Sequence, residues 1–544
     1  MPRKIKVIPK KKQNTPADPR TKSFPVVGIG GSAGGLEAFQ ELLVNISDKP
    51  GMALVFIMHM AQGRKSLLPE LLARKTKMPV SEITNGMVPE INHVYIKPSG
   101  TNLSMVNGKL TLSAMANEKN KHMPIDYFFR SLADELDNRS IGVVLSGTAT
   151  DGTLGAGAIK AAGGITFAED EKSAAFSDMP QSAINSGCVD FVLSPKRIAV
   201  ELERISKHPL LSFSALFKTD APIVLEDKGF QNIFDMLRRA KGLDFTYYKH
   251  ATTARRISRR IILTKQGDFR NYIKFLRENE CEIDYLYEDL LINVTNFFRD
   301  QKAFHALEKS VIPEILKNAT KDQGIRIWVP GCSSGEEAYS IAILVAEALG
   351  RNTGVIPVTI FATDMSGNSI NKARRGVYGK NIKDTVSPAR LKSFFTKEGN
   401  SYKVSKSIRE MCVFSEQNVF NDPPFSNVDL VSCRNLLIYL QPILQKKTFH
   451  NFHYSLKPNG FLFLGNSESI VGCSNLFKVL DRKHKIFVKR YVSIKPKFQL
   501  GQRYYPSEKL KVTEKTVIDT GKETDIVDIA AKVVFDEYAS CGVC

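Results

Sequence analysis

The stretch VVGIGGSAGG, residues 26–35, decides the fold of the first part of the chain, and it matches two incompatible motifs. Its GIGGSA segment satisfies G-x-G-x-x-G/A, a turn that lets a dinucleotide approach the N-terminus of a helix. Its GGSAG segment satisfies G-x-S-x-G, a turn that exposes a nucleophilic serine, here Ser32. Both motifs join a strand to a helix through a glycine turn, so the stretch predicts the first β–α unit of an α/β sheet.

A second glycine turn, VPGCSSGEEA at 329–338, also matches G-x-S-x-G and allows the same two interpretations, a nucleophilic serine or a nucleotide turn. In a right-handed βαβ unit, the second strand ends beside the turn that follows the first strand. After the first turn, the strand ALVFIMH ends in His59, a base; after the second turn, the strand VTIFATD ends in Asp364, an acid that suits ribose hydroxyls. These residues predict a serine nucleophile at the first turn and a nucleotide-like cofactor at the second.

A third catalytic residue follows the strand IGVVLSG, whose loop TATDG carries Asp151 at the carboxyl edge of the predicted sheet. We expect Ser32 to attack, His59 to accept its proton and Asp151 to orient the imidazole. Backbone N–H groups at the start of the helix after Ser32 would bind the oxyanion. His122 is a rival base, although it precedes a helix, and we interpret His93 as structural.

Alternating strand-like and helix-like patterns predict an α/β fold with two doubly wound parallel-sheet domains. A small helical domain lies between them, and the second sheet domain carries an inserted β subdomain. The predicted segments are a basic tail (1–23), the first α/β domain (24–205), a linker (206–225), the helical domain (226–300), the second α/β domain (301–490, with the insertion at about 376–411) and a tail or the start of a further module (491–544).

Composition restricts the classes of function. The chain has 544 residues and a formal net charge of +20, which predicts an acidic partner such as nucleic acid, an anionic membrane surface or an acidic protein. The N-terminus lacks the apolar segment of a secretory signal, and no apolar run approaches the ~20 residues that span a bilayer. Scattered cysteines favour a cytoplasmic protein, and the pair Cys541 and Cys544 is weak evidence for a metal or redox site. We therefore expect no metal cofactor and no direct insertion into a membrane.

The motifs GIGGSAGG, the strand-end HM, PEINHVYIKPSG and SGTATDG resemble the catalytic domain of chemotaxis receptor methylesterases of the CheB type, over residues 24–205. The resemblance implies hydrolysis of glutamate methyl esters on chemoreceptors, with glutamine deamidation as a sister activity, and assigns the catalytic residues to Ser32, His59 and Asp151. Two positions depart from the family pattern, because Ala61 replaces a usual proline and Thr148 replaces a usual methionine. A short tail also stands where the family usually carries a phosphorylatable receiver domain.

Further motifs resemble the chemotaxis receptor glutamate methyltransferases of the CheR type over residues 226–490: LLINVTNFFRD, GCSSGEEAYS, FATDMS, NVF and SCRNLLIYL. The resemblance implies S-adenosylmethionine as cofactor and a methyl-accepting receptor with acidic helices as partner, which the basic run Arg238–Arg260 would face. Asp364 would accept from the ribose, and Glu336 could meet the amino group of the methionine moiety. The implied cofactor site contains Asn293, Thr295, Arg299, Glu336, Asp364, Asn418, Val419, Asn435 and Leu436.

Two alternatives stay open. The segment NDPPF, residues 421–425, resembles the D-P-P-Y/F signature of amino-group methyltransferases that act on DNA, but it precedes the strand VDLVSC instead of following one. The second alternative is a signalling scaffold with two inactive domains. Against it, every proposed catalytic position carries a residue type that is competent for its role. The sequence favours a bifunctional enzyme, without a nucleic-acid partner, that methylates protein glutamates and hydrolyses the resulting esters.

Overall fold

The computed structural model describes residues 24–59, 67–115, 123–212, 228–350 and 354–492. Expectations for the basic tail, Ala61, His122, most of the linker and the segment after 492 lie outside the described residues. Three regions follow one another in the chain: a first α/β region (24–212), a helical region (228–291) and a second α/β region (301–489).

The first α/β region is built on a seven-stranded sheet that is parallel throughout. Its elements are β1 (Val26–Gly31), α1 (Gly35–Asn45), β2 (Ala53–Met58), α2 (Leu68–Ala73), β3 (Val80–Glu82), β4 (His93–Ile96), β5 (Thr101–Val106), β6 (Lys109–Ala114), α3 (Pro124–Leu136), β7 (Ser140–Val144), α4 (Thr153–Ala162), β8 (Ile165–Glu169), α5 (Asp178–Asn185), β9 (Phe191–Leu193), α6 (Pro195–Ser206) and α7 (Pro209–Ser212). The strand order is β3-β4-β2-β1-β7-β8-β9. Every residue of β1 is buried, because helices cover both faces of the sheet.

A separate antiparallel hairpin, β5–β6, is absent from the expected elements. Asn107 and Gly108 form its turn with φ of 50° and 73°. Asn-Gly between two β-rich runs is the usual signal for such a turn, so the sequence did contain the information.

The helical region consists of α8 (Lys228–Lys241), α9 (His250–Leu263), α10 (Phe269–Glu278) and α11 (Glu280–Leu291). The expectation that Arg238–Arg260 faces a receptor is wrong for the α9 arginines Arg256 and Arg259, which are each only 2% exposed. Arg259 pairs with Asp190 of the first α/β region and with Asp289 of α11. These guanidinium groups are therefore held inside the protein, between the helical region and the first sheet.

The second α/β region has a mixed seven-stranded sheet, ordered β15-β11-β10-β16-β17-β19-β18. Its elements are α12 (Gln301–Ser310), α13 (Ile312–Lys317), β10 (Ile325–Pro330), α14 (Glu336–Leu349), β11 (Val358–Asp364), α15 (Gly367–Arg375), β12 (Val377–Gly379), α16 (Pro388–Phe394), β13 (Phe395–Glu398), β14 (Ser401–Val404), α17 (Lys406–Arg409), β15 (Cys412–Glu416), β16 (Val428–Cys433), α18 (Pro442–Ser455), β17 (Leu456–Leu464), β18 (Phe477–Asp481) and β19 (Ile486–Lys489). The predicted parallel pairing is confirmed from β15 to β17, whereas β19 and β18 run antiparallel at one edge.

A small antiparallel sheet, β12-β14-β13, lies in the chain between β11 and β15. Between β12 and α16, residues Lys380–Asp384 form a single 3-10 turn. We call residues 377–404 the insertion.

Both large sheets contain a topological switch point. In the first sheet the neighbours of β1 are β2 on one side and β7 on the other, and in the second sheet β10 lies between β11 and β16. Ligands of open α/β sheets bind at the carboxyl ends of strands where the chain order reverses in this way. The glycine turns at 331–335 and after β1 therefore lie at the expected positions for two separate sites.

Candidate active sites

The first site forms around the turn after β1. The backbone N–H of Ser32 donates to the carbonyl of Ser146 in the loop after β7, at 2.9 Å, and Gly35 N donates to Ser32 O at 2.9 Å. Gly34, with φ of 74°, precedes the first turn of α1. The N–H groups of Ala33 and Gly34 make no hydrogen bond to any other described residue. They are therefore free to stabilise an oxyanion beside the Ser32 hydroxyl.

His59 directly follows β2, and its Nε2 lies 2.8 Å from Asp151 Oδ2. Because Gly31 pairs with Met58, Ser32 and His59 are the next residues on two neighbouring parallel strands. The register of β1 and β2 places Ser32 beside the His59 ring. In the part of the chain that is described, no hydrogen bond joins the two side chains. With Nε2–H donated to Asp151, a neutral ring keeps Nδ1 as its proton acceptor.

Asp151 is fully buried and receives three backbone hydrogen bonds. Its Oδ1 accepts from the N–H of Asp126 and of Gly152, both at 2.9 Å, and its Oδ2 accepts from Ile125 N at 3.0 Å. A second buried carboxyl, that of Asp126, accepts from Gly155 N at 2.6 Å. Burial, together with the nearby charge of Asp151, raises the pKa of Asp126 to about 7. Sequence reasoning did not find this second carboxyl.

The second site begins at Asp364, the last residue of β11. Its Oδ2 accepts from the backbone N–H of Ser333 at 2.8 Å, and its Oδ1 accepts from that of Ser366 at 2.9 Å. Ser333 has a φ of 50°, a left-handed conformation that non-glycine residues rarely adopt. Burial raises the pKa of Asp364. The glycine turn after β10 is thus fixed against the acidic tip of β11.

Glu336 is the first residue of α14 and is also buried. The hydroxyl of Ser334 donates to its carboxylate at 2.7 Å. Burial raises the pKa of Glu336, and the positive charge of Lys372 opposes that shift. Together with Asp364, it forms a pair of desolvated carboxylates that hydroxyl and ammonium donors of a ligand would stabilise.

Asn435 follows β16 and has a left-handed φ of 61°. Its backbone N–H donates to Glu468 Oε2 at 3.0 Å, and the same carboxylate accepts from Leu437 N and from Gly465 N, each at 2.7 Å. Burial raises the pKa of Glu468, while the three backbone N–H groups act to lower it. Glu468 therefore fixes the loop that carries Asn435.

The loop after β15 contributes Asn418 and Val419. Gln417 N donates to Asp364 O at 3.0 Å, which places this loop against the tip of β11. The side-chain oxygen of Asn418 accepts from Phe420 N at 3.0 Å, and Val419 is buried.

The segment before α12 reaches the same place through Glu288. Asn293 Nδ2 donates to Glu288 Oε2 at 3.2 Å, and Ser366 Oγ donates to the same atom at 2.8 Å. Glu288 thus ties the helical region to the turn beside Asp364. It lies within the acidic helix α11, where no sequence signal distinguishes it from solvated neighbours. Glu468, in contrast, follows the apolar strand FLFL, so the strand-end reasoning used for Asp364 could have found it.

Leu436, Arg299 and Thr295 complete the predicted set. A Cβ atom at Gly331 would lie 3.1 Å from Leu436 Cδ2, so the turn after β10 packs directly on this side chain. The carbonyl of Arg299 accepts from Arg434 Nη1 at 2.9 Å, beside Asn435 in the chain. Thr295 is partly buried, and its side chain makes no hydrogen bond with a described residue.

Four buried polar atoms in the loops after β10, β15 and β16 have no hydrogen-bond partner among the described residues: Ser333 Oγ, Gln417 Oε1, Arg434 Nε and Asn435 Oδ1. Buried polar groups are seldom left unpaired, and each such group indicates a missing partner. These atoms follow β10, β15 and β16, around Asp364. The residues therefore fit a ligand with several polar groups, as S-adenosylmethionine is.

NDPPF has a structural role in this loop. Asp422 Oδ2 accepts from Asn418 N at 2.8 Å, and Asp422 N donates back to Asn418 O at 2.8 Å. Phe425 stacks on Phe361 with ring centroids 4.4 Å apart. The motif closes the turn that carries Asn418, before β16 begins.

The described residues contain neither a metal-binding cluster nor a membrane-spanning helix. No group of three or more His, Cys, Asp or Glu side chains there could hold a metal ion. None of the helices in those residues is both long enough and apolar enough to cross a membrane.

Three family models match the chain in succession. CheB methylesterase matches residues 27–202, the all-alpha domain of CheR methyltransferase matches 228–291, and the SAM binding domain of CheR methyltransferase matches 293–486. The first match covers the site of Ser32, and the third covers the site of Asp364. The cofactor of the second site is S-adenosylmethionine.

A chemotaxis protein methyltransferase of Listeria innocua is 32% identical over 236 residues, which are 43% of this chain and 88% of that protein. Chemotaxis protein methyltransferase 2 of Vibrio cholerae is 31% identical over 263 residues, 47% of this chain and 91% of that protein. An uncharacterized 104.1 kDa protein in the hypE 3'region of Rhodobacter capsulatus is 35% identical over 438 residues, 77% of this chain but only 46% of that relative's length. The crystal structure of the Thermotoga maritima CheB methylesterase catalytic domain is 29% identical and covers 34% of this chain and 99% of its own, with a TM-score of 0.32. The chain therefore belongs to the chemotaxis protein methyltransferase family and is a fusion of a CheB methylesterase domain with a CheR methyltransferase.

Proposed function

We propose that this chain transfers methyl groups to glutamate side chains of a methyl-accepting receptor and also hydrolyses the resulting methyl esters, in the cytoplasm. The observation that carries the proposal is the chemical difference between the two switch points. One holds Ser32 beside the hydrogen-bonded pair His59 and Asp151, and the other holds Asp364 and Asn435 among unpaired buried polar atoms. Free thiols at all six cysteines of the described residues suit a reducing compartment.

For ester hydrolysis, Ser32 Oγ attacks the carbonyl carbon of the glutamate methyl ester while His59 Nδ1 accepts the serine proton. Asp151 holds the ring through Nε2 and stabilises its cation. The N–H groups of Ala33 and Gly34 support the negative oxygen. His59 gives this proton to the leaving methoxide oxygen, which departs as methanol. The same imidazole then deprotonates a water that attacks the glutamyl-serine ester, and it passes the proton to Ser32 Oγ as the free glutamate side chain is released.

For methyl transfer, S-adenosylmethionine supplies an activated methyl group, and this chain's residues bind and orient. Asp364 would accept from its ribose hydroxyls, and Glu336 would pair with its amino group. The side chains of Ser333, Gln417 and Asn435 offer their unpaired atoms to the remaining polar groups. A glutamate acceptor is already ionised at neutral pH, so alignment replaces a general base.

A receptor partner is supported by the names of the relatives, which are chemotaxis protein methyltransferases. The +20 net charge favours an acidic surface on that partner. Arg256 and Arg259 are buried, so they are not available to a receptor. We expect exposed basic side chains, such as Arg239 on α8, to contact the acidic receptor helices.

The test uses a receptor cytoplasmic fragment and radiolabelled cofactor. Ser32→Ala should abolish release of labelled methanol and leave incorporation of label intact. Asp364→Ala should weaken cofactor binding and incorporation, and leave ester hydrolysis intact on fragment that was methylated beforehand. Ester release by Ser32→Ala at the wild-type rate would remove the esterase assignment.

A parallel reaction offers DNA in place of the receptor fragment. Label in the fragment alone supports the glutamate substrate, whereas label in the DNA would revive the nucleic-acid alternative. A glutamine-containing fragment in the same series, scored for ammonia release, tests deamidation.

A further inference from the structure

The insertion in the methyltransferase part touches the catalytic loop of the esterase part. Thr150 Oγ1 donates to Asp384 Oδ2 at 2.5 Å. Thr150 is buried and immediately precedes Asp151, the residue that orients His59. Asp384 ends the 3-10 turn Lys380–Asp384 of the insertion. Asp384 of the methyltransferase part therefore binds Thr150, the residue directly before the catalytic Asp151 of the esterase part.

The same turn makes a second contact at its other end. Lys380 Nζ lies 3.8 Å from Asp178 Oδ1, at the start of α5. The next residue, Met179, donates its N–H to Gly147 O at 3.0 Å. Gly147 lies against Ser32. Both ends of one short turn thus reach segments that hold catalytic residues in place.

Buried arginines of α9 fix the two parts relative to each other. Arg259 joins Asp190 of the first α/β region to Asp289 of α11 and also donates through Nε to Gly164 O at 2.9 Å. Arg256 donates to the carbonyl of Ala161 at the end of α4. These desolvated guanidinium groups hold the helical region against the first α/β region, because loss of one partner would leave the charge of the other buried and unpaired. The contact at Asp384 is a further link between the methyltransferase part and the esterase part.

The contact supports the loop without covering the catalytic face. The His59 side chain remains 30% exposed, and Thr148 and Ala149, at the tip of the loop, are exposed. Ala149 has a φ of 72°, a left-handed conformation that persists only where the surrounding structure enforces it. Thr150 is the anchored end of this strained tip. Asp384 supplies a hydrogen bond that holds it from outside the esterase fold.

We propose that Asp384 is a positioning residue for ester hydrolysis, acting through Thr150 to hold Asp151 and the strained tip of its loop. This inference rests on the proposed roles of Ser32, His59 and Asp151. It makes the esterase depend on a docked methyltransferase insertion, so the two opposing activities share one structural element. Movement of the insertion would change the rate of demethylation without any change in the esterase residues themselves.

The experiment measures hydrolysis of p-nitrophenyl acetate, a small ester that needs no receptor docking, by the full chain. Asp384→Ala should lower kcat roughly tenfold, as expected for loss of one hydrogen bond to a charged group, with KM unchanged. Asp384→Asn should restore most of the rate, because its amide oxygen still accepts from Thr150. Glu398→Gln, on β13 of the same insertion and exposed, is the matched control and should hydrolyse the ester at the wild-type rate.

A double-mutant cycle tests whether Asp384 acts on ester hydrolysis through Thr150. Thr150→Val should lose as much rate as Asp384→Ala, and the double variant should lose no more than either one. Additive losses, an unchanged kcat or an increased kcat for Asp384→Ala would each overturn the inference, the last by showing that the turn obstructs the site. Ser32→Ala, run alongside, separates the two failures, since an active Ser32→Ala removes the proposed function itself.

Discussion

Gly147 and Ser32 lie so close together that a Cβ atom added to Gly147 would sit 2.9 Å from the Cβ of Ser32. The same atom would lie 2.3 Å from Met179 Sδ and 3.1 Å from Ser32 N. Met179 has a flexible side chain that can move, but the backbone of the serine turn is fixed by its hydrogen bond to Ser146. The loop after β7 therefore supports Ser32, the proposed nucleophile, through an approach that only glycine allows.

Gly147→Ala should consequently displace Ser32 and lower kcat for ester hydrolysis about 100-fold, since an error near 1 Å in a catalytic group has an effect of that order. Methyl transfer should be unaffected, because the second site lies on a different sheet. Both rates are measured on the same preparation, with p-nitrophenyl acetate and with labelled cofactor.

Gly267→Ala is the matched control, since a Cβ there would meet nothing closer than Asn271 Nδ2 at 3.8 Å. It should leave both rates unchanged. Wild-type ester hydrolysis by Gly147→Ala would contradict the close approach described above.

Glu468→Gln tests the loop that carries Asn435. An amide in place of the carboxylate turns an NH2 group towards at least one of the three backbone N–H donors, so Asn435 should lose its fixed position. We expect cofactor affinity to fall by roughly 10-fold to 100-fold, by analogy with the loss of other supporting hydrogen bonds at ligand sites. The single tryptophan, Trp328, is buried on β10 and donates through Nε1 to the hydroxyl of Thr363, next to Asp364, so its fluorescence provides the titration signal.

Glu410→Gln is the control for that substitution, because Glu410 is an exposed side chain after α17. It should bind the cofactor as the wild type does. Equal affinities for the Glu468 and Glu410 variants would exclude Glu468 from the support of the site.

Strand-end reasoning explains why much of both sheets was predictable. His59 and Asp364 each end a buried apolar run, and parallel strands necessarily bring such ends to one edge. The same reasoning did not reach Asp126, because its backbone N–H donates to Asp151 and its carboxyl accepts from Gly155 through the packing of α3 on α4, and no sequence period encodes these contacts. Glu288 was missed for a similar reason.

The arginines of α9 show a different limit. Their charge indicated an acidic partner, and the partner of Arg259 is indeed acidic, but it belongs to the same chain. A sequence pattern reports that a helix face is basic and says nothing about whether another domain covers it. Only the packed structure distinguishes an intramolecular ion pair from a docking surface.

Arg259→Ala tests how far the ion pairs of Arg259 with Asp190 and Asp289 stabilise the protein. The substitution leaves Asp190 and Asp289 buried without their shared cation, and removal of one partner from a buried pair typically costs about 3–5 kcal/mol of stability. We expect a clear fall in the melting temperature and faster proteolysis between the two α/β regions. Arg239→Ala, at an exposed position on α8, should change neither; identical behaviour of the two variants would contradict a stabilising role for Arg259.

The raised pKa of Asp126 predicts the direction in which the free energy of unfolding changes with pH. Its folded pKa of about 7 exceeds the ordinary value of 3.8, so the native state binds more protons than the unfolded chain between these values. Stability contributed by this carboxyl is therefore complete below pH 4, falls as the pH rises, and is lost above pH 7. Asp126→Asn keeps an oxygen that can accept from Gly155 N but cannot ionise.

The melting temperature of Asp126→Asn should consequently decline less between pH 5 and pH 8 than that of the wild type. Other buried carboxyls with raised pKa values, such as Glu337, titrate in both proteins and cancel in the difference. Asp322→Asn, at an exposed position, should reproduce the wild-type slope. If Asp126→Asn also follows the wild-type slope, the carboxyl beside Asp151 is ionised in the native state throughout this range, and its neighbours stabilise a second negative charge within the esterase site.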